Sequence, residues 1–340
     1  MLGFLRFVLA YLVIMSHLVG SAYLAHFGFY AVVAFFIIAG YVITASLNDV
    51  YRFDAVRFCA NRALRLLPPY YLVSAITLAV VAALPGEAGQ YLKFWHGEMR
   101  LNDVLLNLSV LPMQASTPAF RMVPPFWSVA IEIEMYLLLF LVVARRSGWA
   151  WIALTAGLCY HLVCTYADLG WAAHYFTAAS AVLPFAAGAL VYFVQRRESL
   201  PPVIASAAFV LWCVNMLAGG WIFSESYIFG CGYYLSIACF TVVVFGLTRQ
   251  KFSPTISRLD RTLGEWAYFV FLVQWLAAFA VAAMLPPGQS RGWLLLVATT
   301  PVVVLAGAAL ATLHRRLIEP FRDLLRQPSA HRSAAEVSVA

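Results

Sequence analysis

Runs of about twenty mainly apolar residues follow one another along this chain with short polar breaks between them, the length a helix needs to cross the hydrocarbon core of a bilayer. Reading runs against breaks predicts spans near 3–22, 27–47, 68–84, 126–144, 149–166, 173–194, 203–222, 226–247, 264–285 and 292–313. The extended polar segment is 85–125, and its piece 103–112 (DVLLNLSVLP) is too short to span. It suits a re-entrant or interfacial helix. The expected fold class is therefore an all-α integral membrane protein of about ten transmembrane helices. A membrane domain is expected over 1–320, followed over 321–340 by a tail whose end, QPSAHRSAAEVSVA, reads as disordered. No heptads, tandem repeats or low-complexity tracts are visible.

Composition excludes a soluble globular protein. Of the 340 residues, 63% are hydrophobic and 11% charged, against roughly 45–50% and about 25% in soluble domains. The start of the chain imitates a secretory signal, with Arg6 ahead of an apolar run and Gly20-Ser21-Ala22 as small residues. Against cleavage stand an Arg and a His in the run and a second long apolar segment directly after it. The six cysteines (Cys59, Cys159, Cys164, Cys213, Cys231 and Cys239) show no CxxC or Cys/His metal spacing and read as structural thiols. No metal site is expected.

Charge adds orientation. With ten spans, the loops of one side hold 17 of the 22 Lys and Arg residues, whereas the other side holds Lys93, Arg100, Arg121 and Arg291. By the positive-inside rule both termini are expected in the cytoplasm. The net charge of +7 then needs no nucleic-acid partner. It reflects topology, anionic lipid headgroups and an anionic cytoplasmic ligand.

Ionisable groups within a bilayer cost roughly 2.5–3.5 kcal/mol each on insertion scales, so each is a functional candidate. The informative ones are Arg6 and His17 in the first span, Glu132 and Glu134 in the fourth and His161 in the fifth. Arg6 and His17 are eleven residues apart, which places them within about 20° of one helix face and about 16.5 Å apart along the axis. Arg62 and Arg65 are i, i+3 neighbours, expected on a short helix that ends before Pro68-Pro69, and this spacing lets both reach one phosphate group. Trp127 opens the fourth span as an interfacial anchor, Glu132 and Tyr136 share a face, and Glu134 points roughly opposite. Plainer roles exist for each: a snorkelling anchor for Arg6, a packed residue for His17, positive-inside bias for Arg62 and Arg65, and a structural ion pair for Glu132.

Taken in order, these motifs resemble acyltransferase family 3, bacterial membrane proteins that acylate sugars of surface and secreted molecules. The resemblance rests on Arg6-x10-His17, the run from Phe35 to Tyr41 (FFIIAGY), the run from Arg62 to Tyr70 (RALRLLPPY), Trp127-Ser128-x3-Glu132-x3-Tyr136, Ala267-Tyr268-x2-Phe271-Leu272 and Ile318-Glu319-Pro320-Phe321. The chain departs from the family pattern at Ala39 and Val33, where the family often has a Ser and an acidic residue, and at Gln274, where it often has a His.

The resemblance implies an O-acyltransferase of the bacterial cytoplasmic (inner) membrane, with acyl-CoA, acetyl-CoA in particular, as cytoplasmic donor. A carbohydrate or glycolipid would be the acceptor, and membrane lipids the surroundings. On this reading His17 is general base or transient acyl carrier, with Glu132 as second catalytic residue, orienting His17 or a donor group. Arg6, Arg62 and Arg65 bind donor phosphates, and Trp127, Ser128 and Tyr136 bind substrate. Two rivals belong to other classes. In a polar-lipid or sugar transporter or flippase, Arg6, His17 and Glu132 would form a transport path, although the halves of the chain show no inverted repeat. The other is a non-catalytic partner in polysaccharide assembly, which would bind no acyl-CoA.

Overall fold

In lipid a backbone must satisfy its own hydrogen bonds, and these apolar runs do so as helices. A computed structural model describes residues 1–21, 24–97, 99–110, 119–222, 225–250, 252–286 and 288–326, and no strand occurs among them. The helices are α1 (Leu2–Val19), α2 (Ala25–Ala45), α3 (Ala55–Ala83), α4 (Pro85–Tyr91), α5 (Leu101–Ser109), α6 (Trp127–Leu141), α7 (Ser147–Tyr166), α8 (Gly170–Tyr175), α9 (Ala178–Val194), α10 (Pro202–Ile222), α11 (Glu225–Phe229), α12 (Cys231–Leu247), α13 (Pro254–Ala282), α14 (Trp293–Leu317) and α15 (Glu319–Arg326).

Eight helices among the described residues are long and apolar enough to cross a membrane, namely α1, α2, α3, α6, α7, α10, α13 and α14. Shorter apolar helices, α9 and α12, have 17 residues each. The segment expected to be too short to span is the nine-residue α5. Its continuation over 111–118 lies outside the described residues, as does the expected disordered end at 327–340. The boundary expected at 320/321 falls inside α15, which docks on α3.

Burial separates a central layer from a lipid-facing rim. α2 is buried nearly all round and packs on α1 and α9, while α1 also packs on α13. The rim exposes large apolar side chains in bands, including Ile152 and Leu162 on α7, Val203 and Leu217 on α10, and Val297 and Leu305 on α14. Apolar bands this extensive are stable only against lipid.

One expectation is corrected. Arg62 and Arg65 do not sit on a short helix ending before Pro68-Pro69, because α3 runs unbroken for 29 residues with both prolines inside it. The prolines free the carbonyls of Leu64 and Arg65 from their usual partners. A membrane helix tolerates this where neighbours supply donors and packing. Tyr268 of α13 donates its hydroxyl to the Leu66 carbonyl at 2.7 Å, in the turn before the prolines. The chain reaches α3 through a π-helical turn over Ser46–Tyr51, and Arg52 and Phe53 then take positive φ values of 47° and 60°. Asp54 caps α3 by accepting from the Arg57 N–H at 3.0 Å.

α15 is pinned at the same end of the bundle. Arg322 forms an ion pair with Glu319 and donates to Asn61 Oδ1 of α3 at 3.3 Å, while Arg326 lies 2.7 Å from Glu319. Burial alone would raise the Glu319 carboxyl, but the Arg322 and Arg326 guanidiniums outweigh it and hold the group below its usual range. A depressed carboxylate pKa stabilises the folded state above the unfolded value of about 4.3, and the contribution disappears as pH falls through the folded value. Acidification below about pH 4 should therefore loosen α15, seen as faster amide exchange over 319–326 than over α13.

The α2–α9 crossing depends on two glycines. A Cβ at Gly188 would lie 2.0 Å from the Ile37 carbonyl oxygen, and one at Gly40 would lie 2.2 Å from that of Phe185. Such close approach is how membrane helices gain packing contact. Gly188→Val should cost at least about 1–3 kcal/mol through overpacking and lower the thermal midpoint in detergent. Gly148→Val, where nothing lies within 4 Å, should leave that midpoint near wild type.

Candidate active site

α1, α2, α3, α6 and α13 line a cavity of about 70 Å3 near the start of α1. Arg6 enters it from α1, Arg62 and Arg65 from α3, and Glu132 and Tyr136 from α6. The i, i+3 spacing thus brings both α3 guanidiniums to one space. Arg62 is held by aromatic faces, its guanidinium 5.6 Å from the Phe58 ring centre and 5.9 Å from that of Tyr136. Its Nη2 reaches Ser46 Oγ at 3.4 Å, and its buried Nε makes no hydrogen bond.

Glu132 accepts a hydrogen bond from the Tyr136 hydroxyl. Its carboxylate acts on Arg6 through space, alongside the like charges of Arg65 and Arg62. Among the described residues neither Arg6 nor Arg65 makes a hydrogen bond or ion pair. Three guanidiniums therefore face one carboxylate. That excess of positive charge, with N–H groups left unused, suits an anion with several acceptor oxygens.

Arg6, Val42, Arg65 and Tyr268 also line a second, wider cavity of about 520 Å3. It carries Arg261, His314, Arg315, Arg322 and Arg326 as well. Glu265 pairs with Arg315 at 2.7 Å and Glu319 with Arg322 and Arg326, while among the described residues no ion pair engages Arg261. The positive surface so continues from the inner cavity into a vestibule.

A third cavity, of about 180 Å3, adjoins the inner one on its other side, and Val32, Ser128 and Phe271 line both. It holds His17, with Trp127, Tyr175 and Phe176 as aromatic walls. The Trp127 ring centre lies 5.3 Å from that of Tyr175 and 4.7 Å from that of Phe176. His17 Nδ1 lies 2.9 Å from Gln274 Oε1, and Gln274 Nε2 donates to the Phe271 carbonyl at 2.9 Å. With its NH2 engaged by a carbonyl, Gln274 can only accept from His17. Nδ1 therefore carries the proton, and Nε2 keeps its lone pair. Trp275 packs 5.3 Å from the imidazole, and Arg291 lies 5.0 Å from the Trp275 ring centre on its other flank.

The sequence candidates thus fall into two groups. Arg6, Arg62, Arg65, Glu132 and Tyr136 share the inner cavity, His17 and Trp127 share the outer one, and Ser128 touches both. Of the two roles expected for Glu132, the geometry joins it to the arginine cluster, while the group hydrogen-bonded to His17 is Gln274. Gln274 had stood only as a departure from a family pattern. Its signal was available: an amide buried in an apolar helix is costly unless something bonds it. Glu134 lines none of these cavities. His161 is buried elsewhere, 3.1 Å from both the Tyr234 hydroxyl and the Ser180 carbonyl.

A family model for acyltransferase family 3, described as an acyltransferase domain, matches residues 2–312. The chain belongs to this family. Its apolar helices and that membership make it a multi-pass membrane acyltransferase, which uses an acyl donor. No curated protein and no solved structure matches the chain. All three cavities of this acyltransferase draw most of their lining from the matched region, with His314 to Arg326 beyond it.

Gln274→Leu leaves His17 Nδ1 without a partner and should lower acyl transfer by about tenfold or more, part of the 10²–10⁴ that a positioned general base supplies. Gln274→Glu keeps an acceptor oxygen and should retain much more activity, measured as labelled acyl transfer in membranes.

Proposed function

We propose that this acyltransferase moves an acetyl group from cytoplasmic acetyl-CoA to a hydroxyl of a cell-surface or secreted carbohydrate or glycolipid, in the cytoplasmic membrane of a bacterium. The observation that carries this reading is the series of adjoining cavities, with unpaired arginines at one end and an oriented imidazole at the other.

The topology that goes with it has ten spans. At 1.5 Å per residue, α9 and α12 would reach about 25 Å, the short end of spanning length. Counting both as spans puts the two termini on the Lys- and Arg-rich side, the cytoplasm. The vestibule then opens to cytoplasmic donor, and the His17 cavity lies in the outer half.

In the proposed reaction Arg6, Arg62 and Arg65 hold the donor's phosphates, and Glu132 with Tyr136 balances and orients that cluster. Trp127 and its aromatic neighbours offer a face to the acceptor ring, beside Ser128. His17 Nε2 takes the proton of the acceptor hydroxyl as its oxygen attacks the thioester carbonyl. The tetrahedral intermediate collapses with loss of the C–S bond. The imidazolium returns its proton to the departing thiolate, leaving ester and free CoA. In a variant route Nε2 attacks the thioester first, forming an acyl-imidazole as the C–S bond breaks and the CoA thiolate leaves; the acceptor hydroxyl then opens it to the ester and passes its proton to that thiolate.

Membranes carrying the protein should transfer label from [14C]acetyl-CoA to surface glycan, and His17→Ala should lower the rate by about 10²-fold or more. Full activity in that variant would reject the mechanism. Arg65→Ala should raise the KM for acetyl-CoA at least about tenfold, as expected when a charged phosphate contact is lost. An unchanged KM would remove the arginines from the donor site.

A further inference from the structure

Between the arginines and His17 lies the boundary where the inner cavity adjoins the outer one. Val32, Ser128 and Phe271 are the described residues common to the inner and outer cavities. They come from three different helices, and Val32 and Phe271 leave only 6% and 7% of their surface exposed. Ser128 Oγ spends its proton on the Pro125 carbonyl at 3.0 Å, so only acceptor lone pairs remain for anything passing. The neck is thus two apolar walls and one neutral oxygen. Phosphate cannot leave the arginines and enter it without losing its charge partners and its water.

Depth makes the neck matter. Arg6 and His17 are separated by about three turns of α1, roughly 16.5 Å along the axis. A donor held by its phosphates at the arginines must send an uncharged arm through the neck to present its carbonyl to His17 Nε2. The acyl group leads that arm. We propose, on the acyl-CoA reading above, that Val32, Ser128 and Phe271 form an acyl-selectivity neck, in which the Phe271 ring and the Val32 methyls limit donors to short acyl groups. Phe271 is also tied to the base, because its carbonyl holds the amide that orients His17. The limit on acyl size and the placement of the base are thereby set within one turn of α13.

The test is binding of CoA, acetyl-CoA, butyryl-CoA and hexanoyl-CoA to the purified full-length protein in nanodiscs, with each acyl-CoA expressed as an affinity ratio to CoA. A tight apolar site discriminates by about tenfold or more per one or two methylenes. Wild type should hold acetyl-CoA at a ratio near one and lose affinity at butyryl and hexanoyl. Val32→Ala, which removes only two methyl groups, and Phe271→Ala should move that loss to longer chains. Val32→Phe should bring it forward to acetyl. CoA binding by each variant reports that it is folded, so a disrupted Phe271→Ala leaves the two Val32 variants to decide. Identical ratios in wild type and the folded variants would overturn the neck while leaving the donor assignment intact. Failure of wild type to bind CoA at all would overturn the donor assignment and the neck with it.

Discussion

The arrangement turns on the cost of keeping guanidinium groups away from bulk water. An isolated charge in a low-dielectric interior is strongly disfavoured, and proteins normally pair it or neutralise it. Here Arg6, Arg62 and Arg65 converge on one cavity with a single carboxylate, Glu132, whose partner is a tyrosine hydroxyl. The cluster is tolerable because its cavity joins an open vestibule where further arginines are already matched by Glu265 and Glu319. The helices are fitted to that requirement. The π-turn after α2 sets where α3 begins, and α3 continues through two prolines with Tyr268 bonded at its weakened turn.

At the other end of α1 the chemistry is uncharged and exact in its hydrogen bonding. His17 belongs to the same helix as Arg6 but meets a different cavity, so one rigid rod of α-helix sets the depth between anion site and base. Rigid elements hold reacting groups better than loops do, and here one helix fixes the backbone positions of both. α13 supplies the complementary parts in order along its length, from Tyr268 against α3 through Phe271 at the neck to Gln274 on the imidazole.

Much of this was legible from residue order. Apolar run length found the apolar parts of the helices but missed the polar first turns of α3 and α13, which begin at Ala55 and Pro254 instead of near 68 and 264, and the cost of charge in lipid marked Arg6, His17 and Glu132. The eleven-residue spacing already separated the first two in depth. Helix adjacency was not legible, because periodicity says which face of a helix is special and not which helix meets it. For that reason Glu132 was open to pairing with His17, whereas packing took it to the arginines. The Pro68-Pro69 break was misread for a local reason: proline readily ends a helix in water, whereas inside a bundle packing against a neighbour, here with Tyr268 bonded to the adjacent Leu66 carbonyl, lets the helix continue. Val32 carried no signal, and Phe271 appeared only as one position of a family motif. A valine and a phenylalanine in apolar helices are indistinguishable from packing residues until the cavities on either side of them are seen.

The glutamine at 274 sharpens what kind of base the proposed mechanism asks His17 to be. An imidazole partner at that position would itself titrate, and two rings sharing a proton would exchange tautomers as pH changed. An amide cannot ionise, and with its NH2 fixed on the Phe271 carbonyl it presents an oxygen under all conditions. His17, which lines the outer cavity, is then held as the Nδ1–H tautomer whenever it is neutral. Only one titration, that of His17 itself, separates the competent base from the incompetent cation. The departure at Gln274 thus leaves the acid–base logic of the site intact and reduces it to a single proton.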